Sequence, residues 1–383
     1  MFGKSLMRER IVAIADLQSN SASFSIVEMQ GAKNAAIHAT RSIELPLEER
    51  SWEHHVFALK EKFAETAKRV FSDYALLPKS HAVKKIYAIV HAPWTQGVVI
   101  KAAIAFSEEM LITPEILSDA AKKALDKAPK PTSAALLDAT QLSILLNGYP
   151  TNRPEGKSAQ SVEVVALMTA CDEDVKEHIL SVLYDVAPAV PAVLHSGARA
   201  IVGAIQAARP HLRSAVCVHV SGEGTELITL RGGIVVQYAS ANEGLRSILE
   251  RAFPGKSADE ARAALRLSNR RQSAESLEGS MQEALVRIEP ELAHLYGEAL
   301  SKMSTPLRLP NALLLVASPD MTVWLKNFFG RIDFSQFTTT AQPFEVEAIT
   351  ADELGGTAAL SSESADLDIS LAVAHVLQEE YGR

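Results

Sequence analysis

The 383-residue chain carries 46 Asp and Glu against 38 Lys and Arg, a net charge of −8, with 47% apolar and 22% charged residues. That length suits about two to three domains, and the composition excludes a wholly disordered chain. Scattered Lys and Arg give no basic face, which excludes nucleic acid as a partner. Two cysteines, Cys171 and Cys217, are too few for a disulfide framework or a structural zinc site, and point to a reducing cytoplasm.

The basic start, Met1 to Arg10, leads into a short apolar run, Ile11 to Ala15, that stops at Asp16. A secretion signal needs ~7 to 15 apolar residues. Nowhere do ~18 consecutive apolar residues occur to span a bilayer. The C-terminal stretch Ile369 to Arg383 is amphipathic but ends acidic, at Gln378-Glu379-Glu380, which argues against direct membrane insertion.

In chain order, two apolar runs, Arg10 to Leu17 and Ala22 to Met29, flank the turn Gln18-Ser19-Asn20-Ser21 and predict a β-hairpin, with a third strand at Ala36 to Leu45. Val56, Leu59, Phe63, Ala67, Val70 and Phe71 recur at helical spacing within Glu48 to Tyr74. A strand at Lys85 to His91 completes the opening of an α/β domain. Strands at Val98 to Phe106, Gln141 to Asn147 and Val162 to Ala170, with helices at Pro114 to Lys127 and Asp172 to Tyr184, form a second unit. Its run Gly148 to Lys157, rich in Gly, Pro and Asn, predicts a loop that excludes strand and helix. Ala187 to Val193 then leads through His195 into an Ala-rich helix ending near Ala208.

After Arg209-Pro210 the hairpin theme returns: Ala215 to Val220, the turn Ser221 to Gly224, Thr225 to Leu230, the turn Arg231-Gly232-Gly233, Ile234 to Ser240, and a helix from Asn242. This is an internal repeat of supersecondary structure and not of sequence. Gly255 to Met303 reads as a charged helical subdomain. Ala312 to Val316 is a buried strand, Met321 to Phe329 a helix, and Leu367 to Glu380 the closing helix.

Two hairpin-led α/β halves, each interrupted by a smaller module, resemble the actin-like ATPase superfamily, and within it the branch containing FtsA and PilM. Three stretches carry the resemblance. Gln141 to Tyr149, through Pro154-Glu-Gly156 to Val162-Glu-Val-Val-Ala-Leu, looks like that branch's inserted module. Cys217-Val-His-Val-Ser-Gly-Glu-Gly-Thr-Glu-Leu227 resembles the second phosphate hairpin, and Lys256-Ser-Ala-Asp-Glu-Ala-Arg262 resembles the motif that opens the helical subdomain. The resemblance implies an α/β, actin-like (ribonuclease H-like), two-lobed fold. Residues 1–96 plus 191–209 make the first half, 97–190 the inserted module, 210–244 plus 306–383 the second half, and 245–305 the helical subdomain.

The family cradles ATP and Mg²⁺ between the halves. The positions that match its cradle are Asp16, Gln18, Ser19 and Asn20 in the first turn, Ser221, Gly222, Glu223, Gly224, Thr225 and Glu226 in the second, Glu243 and Gly244 behind it, and Ala317 and Ser318 after the buried strand. Several depart from the family pattern. Gln18 stands for a glycine, costing roughly 1 to 2 kcal/mol if φ is positive there. His219 stands for an aspartate, and Glu223 for a glycine. A carboxylate ~4 Å from a phosphate repels it by about 4 kcal/mol at an effective dielectric near 20 unless a metal intervenes. The expectation is therefore a degenerate site with no cofactor, the alternative being ATP and Mg²⁺ bound in a polymerising FtsA-like protein.

Single residues divide between roles. Asp16 either caps its turn or holds hydrated Mg²⁺, the turn being favoured. Glu226 either orients water or, in the favoured reading, faces solvent on its strand. His219 reads as a satisfied strand residue; Cys217 shares its face, but no further ligands stand at metal spacing. His54 and His55 read as solvated, and the arginines of Arg262 to Arg271 as a solvated helix face or, in the lesser reading, a filament or partner contact. No hydrolase elbow, zinc-protease helix, dinucleotide fingerprint or P-loop occurs. The resemblance implies a cytoplasmic platform for a pilus or secretion machine, holding the tail of an inner-membrane bitopic partner (PilN-like) between the inserted module and the first half, with self-association possible.

Overall fold

The computed structural model describes residues 10–31, 35–48, 51–78, 80–127, 134–151, 153–270, 275–305, 307–357 and 367–381. Two five-stranded sheets repeat one topology. The first half runs β1 (Arg10–Leu17), β2 (Ser21–Met29), β3 (Ala35–Glu44), α1 (Trp52–Ala75), β4 (Lys85–Val90), and, after an insertion, β9 (Ala192–Ser196) and α4 (Gly197–Ala208). Its sheet order is β3-β2-β1-β4-β9. The second half runs β10 (Ala215–Val220), β11 (Thr225–Arg231), β12 (Ile234–Ala241), then β13 (Ala312–Ala317) and β14 (Glu345–Ala348), ordered β12-β11-β10-β13-β14. In both, two antiparallel hairpin pairings are followed by two parallel ones. The hairpin repeat seen in the sequence is thus a repeat of whole sheets.

The insertion holds β5 (Thr95–Leu111), α2 (Pro114–Asp126), β6 (Ala134–Leu146), β7 (Tyr149–Thr151), β8 (Ser158–Asp172) and α3 (Glu173–Val186), with sheet order β5-β8-β6-β7. The loop predicted at 148–157 is shorter than its composition suggests. Asn147 and Gly148 take positive φ and turn the chain back, so Tyr149 to Thr151 pair with Ile144 to Leu146 as an edge strand. Pro150 is tolerated there because an edge leaves its missing N–H unneeded. Helices α5 (Leu245–Ala252), α6 (Ala258–Arg270) and α7 (Glu275–Met303) follow β12, and α8 (Pro319–Arg331), α9 (Ala351–Thr357) and α10 (Leu367–Tyr381) complete the second half.

Strand alternation distributes the apolar side chains between three layers. On β1, Ile11, Ala13, Ala15 and Leu17 pack with α1 and α3. Val12 and Ile14 face the other way, into a central core with α4 and α10. On β10, Val216, Val218 and Val220 pack with the second half's helices, while Ala215 and Cys217 enter the same central core. Helices α4 and α10 therefore lie between the two sheets. That placement explains why α4 is buried almost all round, Gly197 to Ile205.

Candidate functional site

The same alternation brings polar residues together where the strands end. Asp16 follows Val12 and Ile14 in phase, His91 follows Tyr87 and Ile89, His219 follows Ala215 and Cys217, and Glu226 precedes Ile228 and Leu230, the partners of these residues in the central core. Each continues an inward-facing row beyond its last apolar member, so all four meet at the C-terminal ends of the parallel strands, where open α/β sheets place their ligands.

They form two linked pairs. His91 Nε2 donates to Asp16 Oδ2 at 2.9 Å, and Gln18 Nε2 donates to Asp16 Oδ1 at 3.4 Å. His219 Nδ1 donates to Glu226 Oε2 at 3.3 Å, and Tyr238 Oη donates to Glu226 Oε1 at 2.8 Å. The two imidazole rings lie 5.1 Å apart, joining the halves. Burial opposes the charged form of His91, but the Asp16 carboxylate, aided by Glu226 and Asp368, outweighs it and raises its pKa to about 9. Burial alone would raise Glu226, but His219, His91 and the Tyr238 hydroxyl hold its carboxyl below the usual range. Burial first, and then Glu226, pushes the Tyr238 phenol up.

The two turns touch. Glu223 N–H donates to Ser19 Oγ at 3.0 Å, and a Cβ on Gly222 would stand 2.6 Å from Asn20 Cβ. Behind the second turn, Leu245 and Arg246 N–H donate to the Ser221 and Gly222 carbonyls at 2.9 Å each, which takes up free donors of the α5 N-terminus. Gly244 caps that helix, and a Cβ there would stand 2.4 Å from Gly224 N. Thr225 Oγ1 donates to the Glu243 carbonyl, and the Glu243 carboxylate accepts from Ser247 and Arg251. The Glu223 and Gly224 N–H of the second turn and the Leu245 and Arg246 N–H of α5 are bonded within the protein, and Ser19 and Asn20 lie against Glu223 and Gly222. The two turns are packed against each other at that point.

A cavity of about 640 Å³ lies beside the turns, lined by Gln18, Asn20, His219, Ser221, Ala317 and Ser318 among others. Arg262 and Arg266 of α6 also line it. Arg266 donates to Glu44 of the first half at 2.6 Å and to Asp320 of the second at 2.8 Å. Arg262 reaches the same carboxylates at 3.1 and 3.2 Å. Of the positions predicted for the cradle, Gln18, Asn20, Ser221, Ala317 and Ser318 line this cavity, Ser19 and Glu223 join the facing turns, and Gly244 packs behind the second turn.

Several readings of single residues need correcting. Gln18 is not in the positive-φ region, so its side chain carries no left-handed strain. Asp16 does not cap its turn; its carboxylate accepts from His91 and Gln18 side chains. Glu226 is 1% exposed and paired, not solvent-facing. Glu223, expected to repel phosphate, is paired with Arg246 at 2.9 Å. Arg262 is buried and Arg266 bridges the halves, so neither is a solvated face. The Arg270 side chain and Arg271 lie outside the described residues. His55 is not solvated either: its Nε2 donates to the Ser19 carbonyl at 2.6 Å and its ring meets Trp94 edge-on. Cys217 is buried, which pushes its thiol up to about 12 and leaves it inert at neutral pH.

Two site residues escaped the sequence reading, His91 and Tyr238. His91 had a signal, since it directly follows an apolar run that pairs in parallel with β1. Tyr238 had none, because its hydroxyl reaches Glu226 only through the β11–β12 pairing.

No family model matches the chain, and no curated protein does. Among solved structures, the chain is similar to the PilM-PilN type IV pilus biogenesis complex, at 16% identity and a TM-score of 0.58, covering 96% of this chain and 98% of that one. It also aligns with a Bacteroides thetaiotaomicron protein of actin-like ATPase fold (10% identity, TM-score 0.41, 91% and 94% covered) and with the ethanolamine utilization protein EutJ from Carboxydothermus hydrogenoformans (11%, 0.43, 96% and 90%). The fold is the two-lobed actin-like α/β fold expected from the sequence. Among the described residues, no helix is long and apolar enough to cross a membrane.

Proposed function

We propose that the chain is a non-catalytic actin-like scaffold of a type IV pilus or type II secretion-like assembly at the bacterial inner membrane. One observation carries this reading: the Glu223 to Ser19 hydrogen bond closes the two hairpin turns on each other, where the fold family holds phosphates. The likeness over nearly all of a PilM chain solved with PilN supports the choice of assembly. The partner under this reading is the cytoplasmic tail of a bitopic, PilN-like membrane protein, which holds the chain at the membrane from the cytoplasmic side.

Under this reading the tail lies between the first half and the inserted module. There α1 of the half packs on α3 of the module, and these helices leave Phe57, Leu180 and Tyr184 exposed. Exposed apolar side chains of this kind suit capture of an extended peptide. The test is a fluorescence-anisotropy titration with the cytoplasmic tail of the bitopic protein encoded beside this chain. Saturable binding weakened by Leu180→Glu supports the reading, and absence of binding by the folded full chain overturns it.

The 640 Å³ cavity beside the turns, which is nucleotide-sized, favours a second reading, an ATP-dependent polymerising FtsA-like protein. Mg-ATP at millimolar concentration would then raise the melting temperature by mass action, and sedimentation would detect filaments. The scaffold reading expects neither.

A further inference from the structure

We propose that His91, His219 and Glu226 form a site for one divalent transition cation of the zinc class, shared between the two halves. His91 follows β4 of the first half, while His219 and Glu226 face each other across the β10–β11 hairpin of the second. One nitrogen from each imidazole and one carboxylate oxygen lie within 4.8 Å of one another. Zinc–nitrogen and zinc–oxygen bonds of about 2.0 to 2.2 Å set tetrahedral ligands roughly 3.4 Å apart. Closing the difference takes side-chain shifts on the order of 1 Å.

Two imidazoles and a carboxylate select a transition metal over Ca²⁺ or Mg²⁺, which want oxygen alone. Three protein ligands leave a fourth position for water, and His219 borders the cleft cavity through which ion and water would arrive. Residues outside the trio already orient it. Asp16 accepts from His91 at 2.9 Å, and the Tyr238 hydroxyl donates to the second oxygen of Glu226 at 2.8 Å. Metal sites orient their ligands in this way.

Charge argues in the same direction. Asp16, His91, His219 and Glu226 are all at least nine-tenths buried. Metal ligation displaces the proton of His91, and the two carboxylates beside the then neutral imidazoles need a replacement charge, because bare charge is costly in a buried site. One dication neutralises both. His91 Nδ1 is also buried with no hydrogen-bond partner, and with Nε2–H on Asp16 it is the ring nitrogen whose lone pair is open to a metal. A bound ion ties the first half to the second hairpin independently of any tail-binding role.

The test strips the full chain with chelator and adds Zn²⁺ or Co²⁺ alone, following uptake by equilibrium dialysis and, for Co²⁺, by visible absorption. One equivalent per chain, a raised melting temperature and the intense bands of four-coordinate Co²⁺ are expected. Asp16→Asn should weaken affinity by about 10- to 100-fold, and His219→Ala should abolish binding, while His294→Ala on exposed α7 changes nothing. Wild-type protein that takes up no stoichiometric Co²⁺ overturns the site without recourse to any variant. So does uptake that survives His219→Ala undiminished in protein shown by circular dichroism to be folded.

Discussion

Three buried histidines make stability a peaked function of pH in chelator-treated protein. His91 titrates near 9 in the folded chain against 6.5 in an unfolded reference. Its contribution is complete below pH 6.5 and is lost as pH rises through about 9. The rise corresponds to about 3 kcal/mol. The opposite case sits beneath it, where His195 Nδ1 and His375 Nε2 lie 2.8 Å apart in a fully buried contact. Burial, then Arg199 and Lys85, lowers His195 to about 3. Burial, then His195 and Arg199, lowers His375 well below 6.5. Both rings stay neutral in the folded protein while the unfolded chain protonates below pH 6.5, so stability falls with falling pH, by at most about 2.7 kcal/mol per pH unit for the two together. Urea unfolding at a series of pH values should therefore give a maximum near pH 6.5, with His91→Gln flattening the alkaline limb and His375→Gln the acid one. Stability that holds level or rises from about pH 7 to 9, or an alkaline limb unchanged in His91→Gln, refutes the reasoning.

Gly244→Ala should destabilise by about 1 to 3 kcal/mol or more, because its Cβ would meet the backbone of Gly222 to Gly224 at 2.4 to 2.6 Å, and thermal melting measures the loss. Ser19→Ala removes the acceptor of the Glu223 N–H and should cost about 1 kcal/mol, read by chemical denaturation. Glu44→Ala breaks a partly exposed link from α6 to the first half; the loss in stability should be below about 1 kcal/mol and shrink with added salt, while amide exchange in α6 accelerates. Arg262→Ala should cost about 1 to 3 kcal/mol, because it leaves the half-buried Asp320 with one fewer partner.

The duplicated sheets were legible because their signals are local. The unbroken apolar runs within Arg10 to Leu17 and Ala215 to Val220, short polar turns, and the helical spacing of Val56 to Val70 each act within a few residues. The edge strand Tyr149 to Thr151 was hidden because Gly, Pro and Asn in one window signal a turn whether or not the residues beside it pair. β14 and α9 were missed for a related reason. Glu345-Val-Glu-Ala alternates over too few residues to stand out, and pairs as a strand only because β13 offers an edge in parallel register.

The cleft was legible in position but not in chemistry. Counting lost glycines and added charges treats each turn alone, and from that view Gln18, Glu223 and Glu226 look strained, repulsive or solvated. Each instead has a partner: Gln18 bonds Asp16, Arg246 pairs Glu223, and His219 with Tyr238 holds Glu226, while Asn20 and Ser19 lie against Gly222 and Glu223. A polar side chain entering a cleft is costly only while it lacks a partner. On the proposed scaffold reading, side chains that complement one another across the two turns close the site without cost to the fold. Asp16 fits this logic as well, since its charge matters through His91, a residue whose own signal is a position at the end of a parallel strand. If the turns were merely eroded, their polar groups would be unpaired and solvated. The buried, bonded network instead holds the two halves together.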